Sequence, residues 1–282
     1  MSPPFHNREY WEDRLRAHYD LEGVGYLRLG RRYNRWMYRV RGGVFDRVVR
    51  ELPLMGPREA EGEERHESRP TTHDPQVVLD VGPGTGFYVE RWLRLGAQVT
   101  GVDLTQVAVE NLRARFPGAR LLRVDIGLPL GPPLADEADR FDAVSAFDVL
   151  FHVVDDGQYS QALRNIAALL RPGGWFLWSD NFIHRPTVRV AHQVSRSLEE
   201  ATAAVRSAGL EIVERVPMFV LMNYPADARS RATQLAWTAM VSPAMASDWL
   251  GGILGAVLFP LESWLVRQVR ESPSTELMVC RK

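Results

Sequence analysis

The stretch of sequence that decides the fold is Val77-Val-Leu-Asp-Val-Gly-Pro-Gly-Thr-Gly-Phe87. Its first five residues are apolar except for Asp80, which predicts a buried strand. Gly82, Gly84 and Gly86 follow at alternate positions, and a helical pattern comes after them. Glycine lets the backbone turn sharply and approach a ligand closely, and a helix N-terminus offers unpaired N–H groups to an anion. The stretch therefore predicts a strand, a ligand-binding turn and a helix, although a purely structural turn has the same pattern.

Two carboxylates follow the next two predicted strands. Asp103 ends the second strand in Thr100-Gly-Val-Asp-Leu104, where an acidic side chain can accept hydrogen bonds from both hydroxyls of a ribose. Asp125 follows the third strand beside Ile126, and this pair suits the amine and the face of an adenine. Either carboxylate alone could be a turn or capping residue. In order after three strands, they predict a nucleoside site.

Strand patterns alternate with helical patterns from residue 76 to about residue 220. The predicted strands cover 77–81, 98–103, 120–125, 141–147, 175–179 and 211–220, and the predicted helices cover 87–95, 105–115, 156–170 and 198–207. Strands separated by helices imply right-handed crossovers and a largely parallel sheet. The Arg171-Pro-Gly-Gly174 sequence is predicted to end a helix and turn into the next strand.

Two later stretches complete a family resemblance. They are Phe141-Asp-Ala-Val-Ser-Ala-Phe-Asp-Val-Leu-Phe-His152 and Ala167-Ala-Leu-Leu-Arg-Pro-Gly-Gly-Trp-Phe176. With the three motifs above, they make the chain resemble the class I S-adenosylmethionine-dependent methyltransferases of the small-molecule type over residues 76–220. The resemblance implies a Rossmann-like, mostly parallel α/β sheet of seven strands in the order 3-2-1-4-5-7-6. The seventh strand, 275–281, would be antiparallel.

The resemblance also implies a cofactor, S-adenosylmethionine, with S-adenosylhomocysteine as product. Tyr33, on an N-terminal helix that would cover the cofactor, is the expected aromatic contact. The other expected cofactor-binding residues are Asp80, Gly82, Gly84, Gly86, Asp103, Leu104, Asp125, Ile126 and Phe147. The spacing of the three glycines disfavours a nicotinamide-dependent oxidoreductase. A methyltransferase-like module that binds cofactor without catalysis stays open as an alternative.

Two histidines are candidate catalytic bases, because histidine titrates near neutrality. His152 follows the fourth strand and His184 the fifth, at the carboxyl ends where α/β ligand sites form. Many members of the family have a glutamate before the first of these histidines, but here Phe151 precedes it. Methyl transfer depends mainly on alignment, so a dedicated base is not essential. No pattern of metal ligands is evident.

The chain is expected to have five segments. They are an N-terminal helical lid (1–53), a flexible linker (54–75), the cofactor-binding core (76–223), a helical insert (224–272) and the last strand (273–282). The lid should contain two helices, the second of them bent or interrupted at Gly42-Gly43. The insert is a departure, because the family usually joins strands six and seven by a short hairpin.

The N-terminal lid and the helical insert, which lie outside the core, contain the residues that indicate the class of methyl acceptor. Eight arginines and one acidic residue lie between Arg28 and Arg50, and Arg28, Arg32, Arg35 and Arg39 share one helical face. The insert contains the apolar run from Trp249 to Phe259. This run could be a packing layer, a homodimer interface or an acceptor tunnel. The last interpretation, with arginines facing an anionic headgroup, predicts O-methylation of a small hydrophobic or lipid-like acceptor.

Composition limits the other partners. The chain has 282 residues, a net charge of −1 and a single lysine, Lys282. The balanced charge argues against a nucleic-acid partner. The lone Cys280 fits a reducing, cytoplasmic location. The uncharged run from Trp249 to Leu261 is too short to span a bilayer, which leaves at most contact with a membrane surface.

Overall fold

The computed structural model describes residues 6–53 and 75–282. Its strands, in chain order, are β1 (Val77–Val81), β2 (Gln98–Asp103), β3 (Arg120–Arg123), β4 (Phe141–Phe147), β5 (Leu170–Asp180), β6 (Val188–Val190), β7 (Gln193–Ser195), β8 (Glu211–Pro217) and β9 (Glu276–Arg281). Seven of them form one sheet in the order β3-β2-β1-β4-β5-β9-β8, and β6 pairs with β7 in a separate ribbon.

The seven-stranded sheet confirms the predicted fold class. With the β6–β7 ribbon left out of the count, its order is the expected 3-2-1-4-5-7-6. The final strand β9 runs antiparallel to both β5 and β8, whereas the first five strands are mutually parallel. The carboxyl ends of β1 to β4 therefore lie along one edge of the sheet, where ligand sites form in this class of fold.

Helices cover both faces of the sheet. They are α1 (Asn7–Ala17), α2 (Gly30–Glu51), α3 (Phe87–Arg94), α4 (Gln106–Arg115), α5 (Asp156–Leu169), α6 (Leu198–Ser207), α7 (Arg231–Ala246) and α8 (Asp248–Gln268). Alternate residues of β1 face opposite sides of the sheet. Val78 belongs to the hydrophobic cluster that includes residues of α2 and α3, and Leu79 belongs to the cluster that includes residues of α5 and α6. The central strands β1 and β4 are therefore buried on both faces, which explains their largely apolar sequences.

The prediction that Gly42-Gly43 interrupts the second helix is wrong, because α2 is continuous from Gly30 to Glu51. A Cβ on Gly42 would lie 2.0 Å from Nη2 of Arg91. The Arg91 guanidinium passes this position and donates to Asp46 at 2.7 Å. Gly42 thus makes room for an ion pair that joins α2 to α3.

Several boundaries differ from the sequence prediction. Strand β5 begins at Leu170, so the Pro-Gly-Gly sequence forms the start of the strand and not a turn before it. The reason is pairing with the end of the chain, because Gly173 N–H donates to the carbonyl of Lys282, and Lys282 N–H donates to the carbonyl of Gly174. No sequence pattern predicts the short β6–β7 ribbon. The predicted linker lies, except for residue 75, outside the described residues.

The insert forms α7 and α8. Helix α8 is packed along α2, and small residues permit the close approach, since a Cβ on Gly255 would lie 2.4 Å from the Trp36 ring. Judged by length and composition alone, α8 is long and apolar enough to cross a membrane, although the uncharged run within it is shorter. Only 22% of its most apolar 18-residue window is buried.

Candidate active site

The turn between β1 and α3 has the geometry that its glycines predict. Gly82, Gly84 and Gly86 have φ angles of 64°, 54° and 83°, in the left-handed region that favours glycine. A Cβ on Gly82 would lie 2.5 Å from the Val149 side chain. At its glycines the loop therefore has no side chain between its backbone and the residues that follow β4. A larger side chain at position 82 would fill that space.

Asp103 is fixed at the carboxyl end of β2. Its Oδ1 accepts hydrogen bonds from the N–H of Thr105 at 2.9 Å and from its hydroxyl at 2.7 Å, and its Oδ2 accepts from Gly84 N–H at 3.3 Å. Burial raises the pKa of this carboxyl group. The Thr105 side chain also caps α4 by accepting a hydrogen bond from Ala108 N–H. Asp103 is thus held against the glycine loop by hydrogen bonds.

A first cavity, called here the glycine-loop cavity, brings most of the predicted cofactor-binding residues together. Those that line it are Gly82, Gly84, Asp103, Leu104, Asp125, Ile126 and Phe147, and the candidate base His152 lines it as well. Asp125 is oriented by Gly127 N–H, which donates to its Oδ1 at 3.0 Å. These residues come from the ends of four adjacent strands, so the sheet order accounts for their convergence.

Two predicted residues lie beneath this cavity and do not line it. Gly86 begins α3, where a Cβ would lie 2.5 Å from the Phe116 ring. Asp80 is buried inside the sheet, and its Oδ1 accepts from the Ser145 hydroxyl at 2.6 Å. Burial raises the Asp80 pKa to about 7. Gly86 thus permits close packing of α3 against Phe116, and Asp80 is hydrogen-bonded to β4 within the sheet.

Tyr33 and His184 do not line the glycine-loop cavity. They do not line the second cavity, described below, either. Tyr33 is fully buried, and its hydroxyl donates to the Met222 carbonyl at 3.1 Å. It is therefore a packing residue between α2 and the segment after β8. His184 is 44% exposed, and its Nδ1 lies 2.7 Å from Oδ2 of Asp227. Its ring forms a surface contact with this carboxylate.

A second cavity, called here the adjoining cavity, has a volume of about 670 Å³. It shares several wall residues with the glycine-loop cavity: Trp11, Val24, Tyr38, Asp148 and His152. Its other walls are rich in aromatic rings and arginines, namely Tyr10, Tyr26, Phe151, Tyr224, Arg14, Arg28, Arg41 and Arg185. Asn181, which the sequence places after the fifth strand, also lines it. The two cavities therefore meet at a shared wall.

His152 lies at that shared wall in a defined orientation. Its Nδ1 lies 2.8 Å from the His192 carbonyl oxygen. A carbonyl oxygen carries no proton, so Nδ1 is the donor and Nε2 carries the lone pair of the neutral ring. The Trp11 ring packs edge-on against the imidazole at 4.6 Å. Burial lowers the His152 pKa to about 3, so the ring is neutral throughout the physiological range.

A buried ion pair closes another side of the shared wall. The Arg41 guanidinium contacts the carboxylate of Asp148, which also accepts from the Ser179 hydroxyl at 2.8 Å. Asp148 has a φ of 57°, which is uncommon for a residue with a side chain. The Arg41 guanidinium also lies over the Phe219 ring, 4.9 Å from its centroid. The pair therefore ties α2 to the carboxyl end of β4.

Sequence reasoning missed four residues of this site: Trp11, Tyr38, Arg41 and His192. Trp11 and Tyr38 could have been found as aromatic residues of the predicted lid. Arg41 is one of the eight arginines between residues 28 and 50, but it is buried, whereas Arg35 and Arg39 are exposed. Nothing in the sequence marks His192, whose position depends on the β6–β7 ribbon.

The two helices of the apolar insert, α7 and α8, do not line either cavity in the part of the chain that the structure describes. Tyr224 and Ala226 line the adjoining cavity, but no residue of α7 or α8 does so. Trp237 of α7 instead packs edge-on against Tyr224, with ring centroids 5.4 Å apart, and against Tyr26 at 6.1 Å. Helix α7 thus supports the cavity wall from outside.

Comparison with known proteins places these residues in context. A family model described as a methyltransferase domain matches residues 79–178. The ubiquinone biosynthesis O-methyltransferase of Cereibacter sphaeroides is 30% identical over 174 residues, which cover 55% of this chain and 68% of that protein. The protein of the same name from Albidiferax ferrireducens is 35% identical over 109 residues. The aligned residues make up 37% of this chain and 40% of the Albidiferax ferrireducens protein. This chain therefore spans less than half of the length of that relative.

Among solved structures, the chain is similar to the O-methyltransferase from a trans-AT PKS multienzyme of Brevibacillus brevis in complex with S-adenosyl-L-homocysteine. The TM-score is 0.49 at 16% identity, with coverage of 73% of this chain and 66% of that chain.

Proposed function

This chain belongs to the class I S-adenosylmethionine-dependent methyltransferases, and we propose that it methylates a hydroxyl oxygen of a small hydrophobic acceptor. The observation that carries the proposal is the junction of the two cavities at His152. A cofactor in the glycine-loop cavity and an acceptor in the adjoining cavity would meet there. Methyl transfer needs that arrangement, because the donor and the acceptor must be aligned in one line.

The hydrogen-bonding groups and the apolar walls of the glycine-loop cavity fit S-adenosylmethionine. Gly82 and Gly84 offer bare backbone, and the carboxylates of Asp103 and Asp125 can accept from ribose hydroxyls and from an adenine amine. Leu104, Ile126 and Phe147 supply apolar walls for the rings. When bound, the cofactor supplies a methyl group already activated on a sulfonium.

The chain's own part is alignment, exclusion of water and removal of one proton. Trp11 of α1 covers the junction, and Tyr38 lies in both cavities, so the two helices shield the reacting atoms from water. Nε2 of His152 accepts the proton of the acceptor hydroxyl as the new carbon–oxygen bond forms. The His192 carbonyl keeps the imidazole in the tautomer that this step requires.

The acceptor is proposed to be hydrophobic or lipid-like and to carry an acidic group. Aromatic rings from five segments of the chain line the adjoining cavity, which favours a flat or extended apolar molecule. Arg28 lines it as well and is exposed, so its guanidinium is available to a carboxylate or a phosphate. The ubiquinone biosynthesis O-methyltransferases among the relatives are consistent with an oxygen acceptor.

An acceptor panel tests this function. Purified protein and S-adenosylmethionine are incubated with hydrophobic phenols that do or do not carry an acidic group, and with hydrophilic sugars and amines. We expect S-adenosylhomocysteine to form with the phenols, fastest with the acidic ones. Formation only with hydrophilic acceptors would contradict the proposed acceptor class. Cofactor binding without turnover on any acceptor would support the non-catalytic alternative.

A further inference from the structure

Helix α8 turns an uninterrupted apolar stripe toward solvent. Its exposed side carries large apolar residues at steps of three or four positions, namely Trp249, Ile253, Val257, Leu261 and Trp264. Val257 is 69% exposed and Trp249 is 60% exposed. The stripe covers about 22 Å at the rise of an α-helix. A contiguous apolar surface of this kind indicates a contact with another molecule.

The side chains that could interrupt this stripe with charge are turned away from it. Glu262 is fully buried and accepts hydrogen bonds from the N–H groups of Val220 at 2.7 Å and Leu221 at 2.8 Å. Asp248, at the start of the helix, accepts from Arg32 N–H at 2.7 Å. Both contacts fasten α8 to the body of the protein, so only its outer face is free to meet a partner.

A basic groove runs beside the stripe. Its volume is about 570 Å³, and it lies between the exposed arginines of α2 and the outer residues of α8. Its lining comprises Arg31, Arg32, Arg35, Trp36, Arg39, Asp248, Trp249, Gly252, Ile253 and Ala256. Groove and stripe are continuous, because Trp249 and Ile253 belong to both.

The groove carries unbalanced positive charge. Arg31 lies 3.6 Å from an Asp20 oxygen, and Arg32 lies 3.4 Å from an Asp248 oxygen. In the part of the chain that the structure describes, no acidic side chain lies within ion-pair distance of Arg35 or of Arg39. A partner that complements this face must therefore offer anions beside a hydrophobic layer.

We propose that the outer face of α8, with the arginine groove of α2, docks on the surface of an anionic phospholipid bilayer. The apolar side chains enter the boundary between headgroups and acyl chains, and Arg35 and Arg39 meet lipid phosphates. A second copy of the chain fits this face less well. A two-fold interface brings the same positively charged patch of both copies together, where like charges oppose association, whereas an anionic surface neutralises the patch.

Docking on a membrane would also serve a hydrophobic acceptor. Helix α7, which packs beside α8, contacts the turn from Leu27 to Leu29. Leu27 and Arg28 of that turn line the adjoining cavity and are exposed. This side of the cavity thus lies close to the proposed membrane face. The docking proposal itself does not depend on the identity of the acceptor.

Vesicle flotation with the full chain tests the proposal. We expect it to float with vesicles of phosphatidylcholine and phosphatidylglycerol at 7:3, and much less with phosphatidylcholine alone. The double variant R35E/R39E should lower the partition coefficient at least about tenfold. The variant I253S/V257S, which removes exposed apolar surface, should lower it to a similar degree. Thermal unfolding of each variant checks that it folds.

Matched controls come from other surfaces of the protein. R164E/R206E reverses two exposed arginines on α5 and α6, across the sheet from α8, and V213S removes an exposed apolar side chain on β8. Both controls should float like the wild type. Failure of the wild type to float with anionic vesicles, or equal flotation of R35E/R39E, would overturn the proposal. A wild-type dimer in sedimentation that I253S/V257S converts to monomer would assign the face to a second copy instead.

Discussion

His152 is the residue on which the proposed chemistry depends. Its tautomer is set by the His192 carbonyl, and the residue belongs to the wall that the two cavities share. Burial lowers its pKa to about 3, so the ring is neutral at every pH at which the enzyme would operate, and it is a weaker base than a free histidine. A neutral imidazole can accept the acceptor proton without first losing one of its own.

Replacement of this histidine should separate catalysis from binding. We predict that His152→Gln lowers kcat by about 100-fold, because general-base catalysis typically contributes that much or more. The dissociation constant of S-adenosylmethionine should change by less than about threefold, since Asp103 and the glycine loop are untouched. Steady-state kinetics and calorimetry measure the two quantities. His184→Gln is the matched control, and an equal loss of kcat in both variants would refute the role of His152.

Asp180 provides a test of the electrostatics of the sheet. Its side chain is buried, its Oδ2 has no hydrogen-bond partner among the described residues, and burial raises its pKa to about 7. The folded protein therefore binds a proton more tightly than the unfolded chain. The free energy of unfolding must then fall as the pH rises from about 4 through 7.

Removal of that carboxylate should accordingly stabilise the protein at high pH. We predict that Asp180→Asn raises the free energy of unfolding by about 2 kcal/mol at pH 8, with a gain that shrinks as the pH falls toward 5. Urea unfolding at several pH values measures this. Asp136→Asn, at an exposed position, should have no such dependence. A constant difference between Asp180→Asn and wild type at all pH values would show that ionisation of Asp180 is not the cause.

At the scale of elements, the turn between β1 and α3 could be predicted in detail, and the lid could not. Strand, glycines and helix are neighbours in sequence, so local conformational preferences define them. The lid acts through distant contacts: α1 reaches the end of β4 through Trp11, and Glu12 accepts hydrogen bonds from the start of α4. For the same reason the prediction of Tyr33 as the cofactor contact is wrong: Tyr38, on the same helix, lines the glycine-loop cavity, and Tyr33 does not.

A pair of glycine substitutions tests the turn. We predict that Gly82→Ala weakens S-adenosylmethionine binding by at least about tenfold, because its Cβ would lie 2.5 Å from Val149 and its φ is 64°. Gly96→Ala is the control, since φ there is 80° but a Cβ would meet nothing within 4 Å. Both variants carry similar backbone strain. The difference between their dissociation constants, measured by calorimetry, therefore gives the steric effect of a Cβ at position 82. Equal affinities for the cofactor in the two variants would contradict this prediction.

At the scale of the whole molecule, the sheet order could be predicted from the family resemblance, whereas the alternation of strands and helices by itself predicts only a largely parallel sheet. The orientation of the insert could not be predicted. Its composition suited a buried layer, a dimer interface or a tunnel, and only the packing of Gly255 against Trp36 shows which side of α8 faces inward. The predicted grouping holds for Arg32, Arg35 and Arg39, which line the exposed groove, but it is wrong for Arg28, which lies before α2 and lines the adjoining cavity. Only the structure separates buried Arg41 from this groove.

Ligand-induced stabilisation distinguishes the cofactor classes for the intact protein. At a concentration 100 times its dissociation constant, S-adenosylhomocysteine should stabilise the folded state by about 2.7 kcal/mol. For a chain of this size, that corresponds to an increase in Tm of roughly 5 °C. NADH at the same concentration should leave Tm unchanged. Thermal unfolding monitored by circular dichroism measures both, and a shift with NADH alone would favour the oxidoreductase alternative.

The central claim is transfer of a methyl group to oxygen, and its most direct test is the fate of a labelled methyl. The wild-type protein is incubated with S-adenosylmethionine carrying a ¹³C methyl group and with the best acceptor from the panel, and the product is observed by NMR. We predict a labelled methoxy signal that His152→Gln forms about 100 times more slowly. A label found on nitrogen or carbon, or formed equally fast by the variant, would contradict the account.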